Sequence, residues 1–454
     1  MIYLLLVVLL LILVIAYLCL NRDWFSPTMI TVFVFLFGAA VAAYGLLSWN
    51  YVEFTGIVIV VLTLALLSML FGEMVSKRRN RGISSINDEK SVPQTKPLPN
   101  ILCFINNVIC VIALYLYYKR VLSIAIEYGY QGDNFLQYVR IGLSNGAHNG
   151  FVVFCLITWS NICAYFSIYY LIKSYFFIGI RKTILTRWQY LICIVVELII
   201  CYLSSSRFNF IKIASFTLFC YVLLYKEISK KKIKIGRIAI VLLFSAFLVI
   251  MAFIKMGESR ASFSGNNAID KLIVYMGSSL PLFDYGIIHK ELNPCELFAG
   301  RTLNGMWGIL KILNLTQLDS LKFLDLVQLN SSFQSNVYTM QYNLLKDFGI
   351  LGLIIIEFFI GLFYGRAYRS CLVKKTDRKN IFYCYFGFYL IMQLWNPSLF
   401  QEVFSYSWIL ELFLIYFLCW IIKKYQRRWE GKYERNNISR WSGNKIVSAH
   451  DGNK

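Results

Sequence analysis

Charge is scarce in this chain: 15% of its 454 residues are Asp, Glu, Lys or Arg, where a soluble domain carries about a quarter. With 58% hydrophobic residues and a mean hydropathy of +0.60, that scarcity excludes a water-soluble enzyme and a disordered tail protein. Histidine is scarcer still. His148, His289 and His450 stand far apart, and neither CxxC nor HExxH spacing occurs, so no structural metal is expected. Exposed cysteine pairs are missing too. Of twelve cysteines, ten fall inside apolar runs, Cys371 falls in a basic loop and Cys295 stands alone, which excludes a secreted disulfide scaffold. Acids are outnumbered 24 to 45 by Lys and Arg. The excess sits in short loops between apolar runs, so it reads as membrane topology rather than nucleic-acid binding.

What is present is a series of apolar runs near the ~20 residues that cross a bilayer. Eleven spans are expected, near 2–20, 29–48, 52–72, 101–118, 149–172, 188–203, 207–225, 237–254, 343–365, 381–395 and 407–422. The first lacks a basic n-region and a small-residue cleavage site, so it is read as a span and not a signal peptide. The fold class is an all-α polytopic membrane protein. Residues 1–254 hold eight spans, 255–342 a helical extracytoplasmic segment, 343–422 three spans and 423–454 a basic tail. With the N-terminus outside, the inner segments hold 32 of the 45 Lys and Arg. That asymmetry places the C-terminus in the cytoplasm. The polar loop 76–100 reads as a connector, and no inverted repeat is evident.

The outer segment 255–342 has 88 residues, seven bases and seven acids. Its runs Ala268–Met276, Leu303–Leu315 and Leu321–Leu329 space apolar side chains as helices do, so short helices lying on the outer surface and roofing a cavity are expected. A second outer segment, 119–148, carries Tyr128, Tyr130, Asp133, Tyr138, Arg140 and His148. Such side chains suit sugar hydroxyls and ring faces, and equally an interfacial belt.

Arginines on the outer side are the most informative residues. Arg207 closes Ser204-Ser205-Ser206-Arg207, Arg260 ends Gly257-Glu258-Ser259-Arg260, and Arg301 sits in Phe298-Ala299-Gly300-Arg301-Thr302. A guanidinium is a permanent forked donor matched to phosphate oxygens, so three around one cavity would suit a pyrophosphate. The plainer alternatives are snorkelling, or pairing with Glu258 or Asp284. Intramembrane Glu197, Glu357 and Glu411 carry a competing reading, a transporter or flippase, although Glu197 is expected to pair with Lys212.

Ser335-Asn336-Val337-Tyr338-Thr339, followed by Lys346-Asp347-Phe348-Gly349-Ile350-Leu351-Gly352 entering a span, resembles the Wzy-type O-antigen and capsule polymerases of bacteria. The turn at 204–207 and the long outer segment before the last three spans resemble that family as well. The resemblance implies a fold like that of the GT-C enzymes and O-antigen ligases, in the bacterial cytoplasmic (inner) membrane. The implied reaction is metal-independent glycosyl transfer between undecaprenyl-pyrophosphate-linked repeat units at the outer face. No cofactor is implied. The implied partners are the lipid-linked oligosaccharide, membrane lipid and a regulator of chain length, with no nucleic acid. Arg207, Arg260 and Arg301 would stabilise the departing pyrophosphate. His289, Asp284, Glu291 and Asp347 are candidates for the base that activates the acceptor hydroxyl. Asp347 has an alternative role as an N-terminal helix charge. Asn336, Tyr338 and Thr339 would bind sugar hydroxyls or cap the ninth span. An O-antigen ligase sharing the donor chemistry is a further alternative.

Overall fold

A computed structural model describes residues 1–49, 54–78, 98–204, 207–228, 268–289, 297–316, 325–328, 334–395, 398–402 and 405–426. Most of them are helical. In chain order the helices are α1 (Ile2–Cys19), α2 (Pro27–Trp49), α3 (Gly56–Arg78), α4 (Asn100–Glu127), α5 (Phe135–Ser144), α6 (Phe151–Ile178), α7 (Ile180–Arg187), α8 (Gln189–Leu203) and α9 (Arg207–Ile228). The connecting segment supplies α10 (Ala268–Gly277), α11 (Ser279–Ile288) and α12 (Asn304–Ile312), before α13 (Met340–Lys374), α14 (Asp377–Met392), α15 (Ser398–Glu402) and α16 (Tyr406–Gln426).

Eight of the described helices are long and apolar enough to cross a membrane: α1 to α4, α6, α9, α13 and α16. This is an all-α polytopic membrane protein. Helices α7 and α8 meet at 82° and are long and apolar enough to cross only when taken as a pair, which would make a ninth span. Helix α14, the expected tenth span, has 16 residues. The expected span 237–254 lies outside the described residues.

Helix α1 shows how the sequence builds these elements. Its 18 residues carry no charge, and Ile2, Leu5, Leu9, Ile12 and Ala16 form one buried stripe at three- and four-residue spacing. The opposite stripe, including Leu4, Leu11 and Leu18, is exposed, as suits a face against lipid. Helices α1, α2, α3 and α13 pack as one group and α4, α6 and α8 as another, with α9 and α14 between them.

The closest approach joins α3 to α13. Ser68, Gly72 and Ser76 repeat every four residues on α3 and face Ile354, Phe358 and Gly365 of α13, while Gly361 of α13 faces Met69. A Cβ at Gly361 would sit 1.9 Å from the Met69 carbonyl oxygen, and one at Gly72 2.0 Å from that of Phe358. Lipid tails are as apolar as leucine, so such backbone contact, and not the hydrophobic effect, holds the pair.

Helix α13 is broken. Gly349 has φ 66° and ψ −175°, inside a segment whose other residues are helical. In an unbroken helix Gln341 and Glu357 would lie about 24 Å apart, yet Gln341 Nε2 donates to Glu357 Oε1 at 2.7 Å. The 340–348 arm therefore folds back along the 350–374 arm, starting beneath the end of the helix group and rising to Asp347. The span expected at 343–365 falls within Met340–Lys374, and its first residues belong to the folded-back arm, because a hydropathy window cannot register one left-handed φ.

Basic-loop segments gather at one end of the molecule. Asp23 accepts from Lys226 Nζ and, at 2.9 Å, from Tyr368 Oη. Asp377 accepts from Lys173 Nζ at 2.6 Å, and Asn380 donates to Glu227 at 2.7 Å. Lys77 and Arg369 donate to carbonyls of Cys19 and Ser76. Cys371, expected in a loop, is buried in the last turn of α13, with its Sγ on the Lys379 carbonyl.

Two expectations for the 255–342 segment are corrected. Helix α10, expected to lie on the surface, has Val274 and Gly277 buried and packs on α2, while the following α11, which lies outside the expected runs, buries Leu280, Leu282 and Phe283 against α2, α3 and Tyr342. Val327–Gln328, expected within a helix, form a strand antiparallel to Gln334–Ser335 because their backbone groups bond across that ladder. Helix α12, within the expected run Leu303–Leu315, has no fully buried residue.

Candidate functional site

The end opposite the basic cluster carries the candidate site. Its anchor is Arg301, whose side chain is 5% exposed. Asp347, at the crest of the fold-back, places Oδ1 4.0 Å from Arg301 Nε and accepts the Thr302 backbone N–H on Oδ2 at 2.7 Å. Phe298 and Phe348 pack edge to face beside this pair. The break at Gly349 is what lifts Asp347 to this position. Gln401, on α15, donates to the Arg301 carbonyl at 3.2 Å, and α12 packs on α15.

The next residue on α15 extends the network. Glu402 Oε2 accepts from Lys212 Nζ and from Tyr389 Oη, each at 2.8 Å. Tyr385 donates to Glu411 beside them. Lys212 therefore pairs with Glu402 and not with Glu197. Glu197 instead receives the Cys201 thiol, one turn along its own helix, at 3.7 Å. Arg207 begins α9, five residues before Lys212, and its side chain lies outside the described residues. Arg260 and Glu291 lie outside them altogether.

A second group forms around the start of α13. Asp284 is fully buried and accepts both the Thr55 backbone N–H, at 2.8 Å, and the Thr55 hydroxyl. It ties α11 to the head of α3. Tyr338 stacks on Tyr342 at 4.5 Å and donates to the Asp325 carbonyl at 3.2 Å. Thr339 caps α13, its Oγ1 accepting from Tyr342 N at 3.1 Å, in line with the capping alternative. Asn336 is exposed in the loop before it. His289 follows α11, its ring stacked 4.1 Å from that of Tyr285 and its Nδ1 3.2 Å from the Tyr285 carbonyl.

Beneath this group, Gln341 bridges Glu357 and Gln393, all three at most 1% exposed. Glu357 Oε2, Gln341 Oε1 and Gln393 Nε2 find no hydrogen-bond partner among the described residues.

Tyr130 and Arg140 belong to a different corner. Tyr130 packs on Phe135 and Tyr138 and donates to the Gly132 carbonyl, while Arg140 is half-buried on α5, which rests on α4. Burial pushes the Arg140 guanidinium below its ordinary value.

Protein-family models, curated proteins and solved structures offer no match to this chain. The site therefore rests on its own chemistry. Among the described residues no three His, Cys, Asp or Glu side chains are grouped as metal ligands. Among the described residues, a buried guanidinium and a lysine–glutamate pair, joined through one short helix, are charged groups that this end offers a ligand. Sequence reasoning reached Arg301 and Asp347. It missed Lys212 as a member of this end, and Tyr389, Gln401 and Glu402; the signal for Gln401 and Glu402 was polar residues in a short gap between two apolar runs.

Proposed function

We propose that the chain joins lipid-linked oligosaccharide repeat units, as an O-antigen or capsule polymerase does, at the outer face of the bacterial cytoplasmic membrane. One observation carries the reading: a permanent cation, Arg301, held 5% exposed beside Asp347 at the end away from the basic loops. On this reading the basic end is cytoplasmic. The leaving group is a lipid pyrophosphate whose charge grows as the anomeric bond breaks, and a preorganised guanidinium shielded from water stabilises that charge more than one in bulk solvent. Arg207, at the head of α9, and Arg260 are the further cations assigned to the same task. Asp347 keeps Arg301 in place and is assigned positioning rather than proton transfer.

A second reading, movement of the lipid-linked oligosaccharide across the membrane, is favoured by one feature. A broken helix carrying a buried carboxylate, as α13 carries Glu357, is a common element of transport sites. A deletion strain separates the possibilities. Loss of a polymerase leaves single repeats on the final acceptor, loss of a ligase leaves free lipid-linked polymer, and loss of a flippase traps repeats inside. Complemented strains that still show only single repeats, or a deletion strain with normal long chains, would refute the polymerase reading.

A further inference from the structure

We propose that Glu402 is the general base that takes the proton from the acceptor hydroxyl, a role that rests on the polymerase reading. The described candidates nominated from sequence are engaged elsewhere. Asp284 directs its oxygens at Thr55, His289 is stacked on and bonded to Tyr285, and Asp347 holds Thr302 and Arg301. Glu402 is arranged differently. Lys212 and Tyr389 both address Oε2, at 2.8 Å, while Oε1 receives none of these bonds. The carboxylate is thereby aimed without being consumed. Its side chain is 35% exposed, against 5% for Asp347.

Its place in the fold fits the chemistry. Gln401, the preceding residue, holds the Arg301 carbonyl, and Lys212 stands five residues along α9 from Arg207, about 7.5 Å of helix rise. One five-residue helix, which carries Glu402, thus ties the segment bearing Arg301 to the helix headed by Arg207. The step is balanced. The acceptor O–H proton passes to Glu402 Oε1 as the hydroxyl oxygen bonds the anomeric carbon of the donor. The anomeric C–O bond to the pyrophosphate breaks, its electron pair leaves with the lipid pyrophosphate beside Arg301, and Glu402 then releases the proton to water.

The test uses the full chain in nanodiscs, with lipid-linked oligosaccharides extracted from cells lacking it as both donor and acceptor. Glu402→Gln keeps the shape and two hydrogen-bonding positions but removes the base. Its turnover is expected to fall about 100-fold or more with KM for the extracted lipid little changed. Glu402→Asp, which keeps the charge and withdraws it by one methylene, is expected to retain the fold and lose turnover part-way, and it decides the matter if the glutamine variant does not fold. Wild-type turnover from either folded variant overturns the proposal, and so does a loss confined to KM. If the wild-type chain elongates none of the extracted lipid, the polymerase reading itself fails and takes this role with it.

Discussion

Replacing Gly349 with Ala tests the fold-back of α13 directly. A Cβ at this position meets no atom within 4 Å, so sterics with neighbours contribute nothing. What remains is the backbone: φ 66° with ψ −175° is a region open essentially to glycine alone. Holding alanine there costs about 1–3 kcal/mol, which shifts the docked arm's equilibrium by about fivefold to 150-fold. Opposing that strain is the contact of Gln341 with Glu357, worth about 1.5–3 kcal/mol when the acceptor is charged and less when it is neutral. In the native chain the two are of similar size. The assay is oxidative cross-linking of Gln341→Cys with Glu357→Cys. That pair removes this hydrogen bond equally from every chain compared and leaves the Met340–Gln393 backbone bond and the Tyr342–Phe283 contact to hold the arm. The two positions are adjacent in the folded-back chain and about 24 Å apart in a straight helix. Cross-linking should be efficient with Gly349 present and fall at least fivefold once Gly349→Ala is added. Gly308→Ala, also facing open space but within α12, is the control and should change nothing or add about 0.5–1 kcal/mol. Equal cross-linking with and without Gly349→Ala would refute the strain argument, and no cross-linking in either would refute the fold-back.

Gly361→Ala should abolish the yield of monodisperse protein in detergent, because its Cβ would meet a backbone oxygen at 1.9 Å; Gly365→Ala, facing the Ser76 hydroxyl at 2.5 Å, should be milder, and equal yields would contradict the packing. Thr55→Val and Asp284→Asn should each destabilise by about 1–3 kcal/mol in thermal or denaturant unfolding and combine less than additively, while leaving turnover per folded molecule intact. A stable but inactive Asp284→Asn would return Asp284 to the chemistry. Arg301→Ala should remove long-chain glycan from the gel ladder and leave single repeats, with Arg301→Lys recovering only part because an ammonium lacks the fork; a normal ladder from Arg301→Ala would sink its assigned role.

Hydropathy alone was enough to place α1, α2, α3, α6, α9 and α16, because a span is a long local signal. The grouping of Asp23, Lys226, Tyr368 and Asp377 at one end follows the same loop charges that suggested sidedness. Other features depend on contacts that no window of sequence reports. Gly349 looks like any glycine in an apolar helix until its φ is known. The partner of Lys212 lies 190 residues away on a five-residue helix, while Glu197, on the adjacent span, offered a nearer and mistaken choice. The Gly361 and Gly365 pair, by contrast, was legible as a small-residue repeat opposite Ser68, Gly72 and Ser76, and its meaning could have been drawn from spacing alone. At the site, Arg301 stood out because an outer arginine is rare in such a chain. Glu402 did not, because an acid between two spans looks like any solvated loop residue.

The detour made by residues 340–348 has a bearing on how the chain is threaded. Where the 350–374 arm alone crosses, the 340–348 arm beside it adds no crossing, and it contributes nothing to whether the two termini share a compartment. Reporter fusions placed before residue 339 and at the crest near 347 should therefore give the same answer, although about half a membrane helix of apolar sequence separates them.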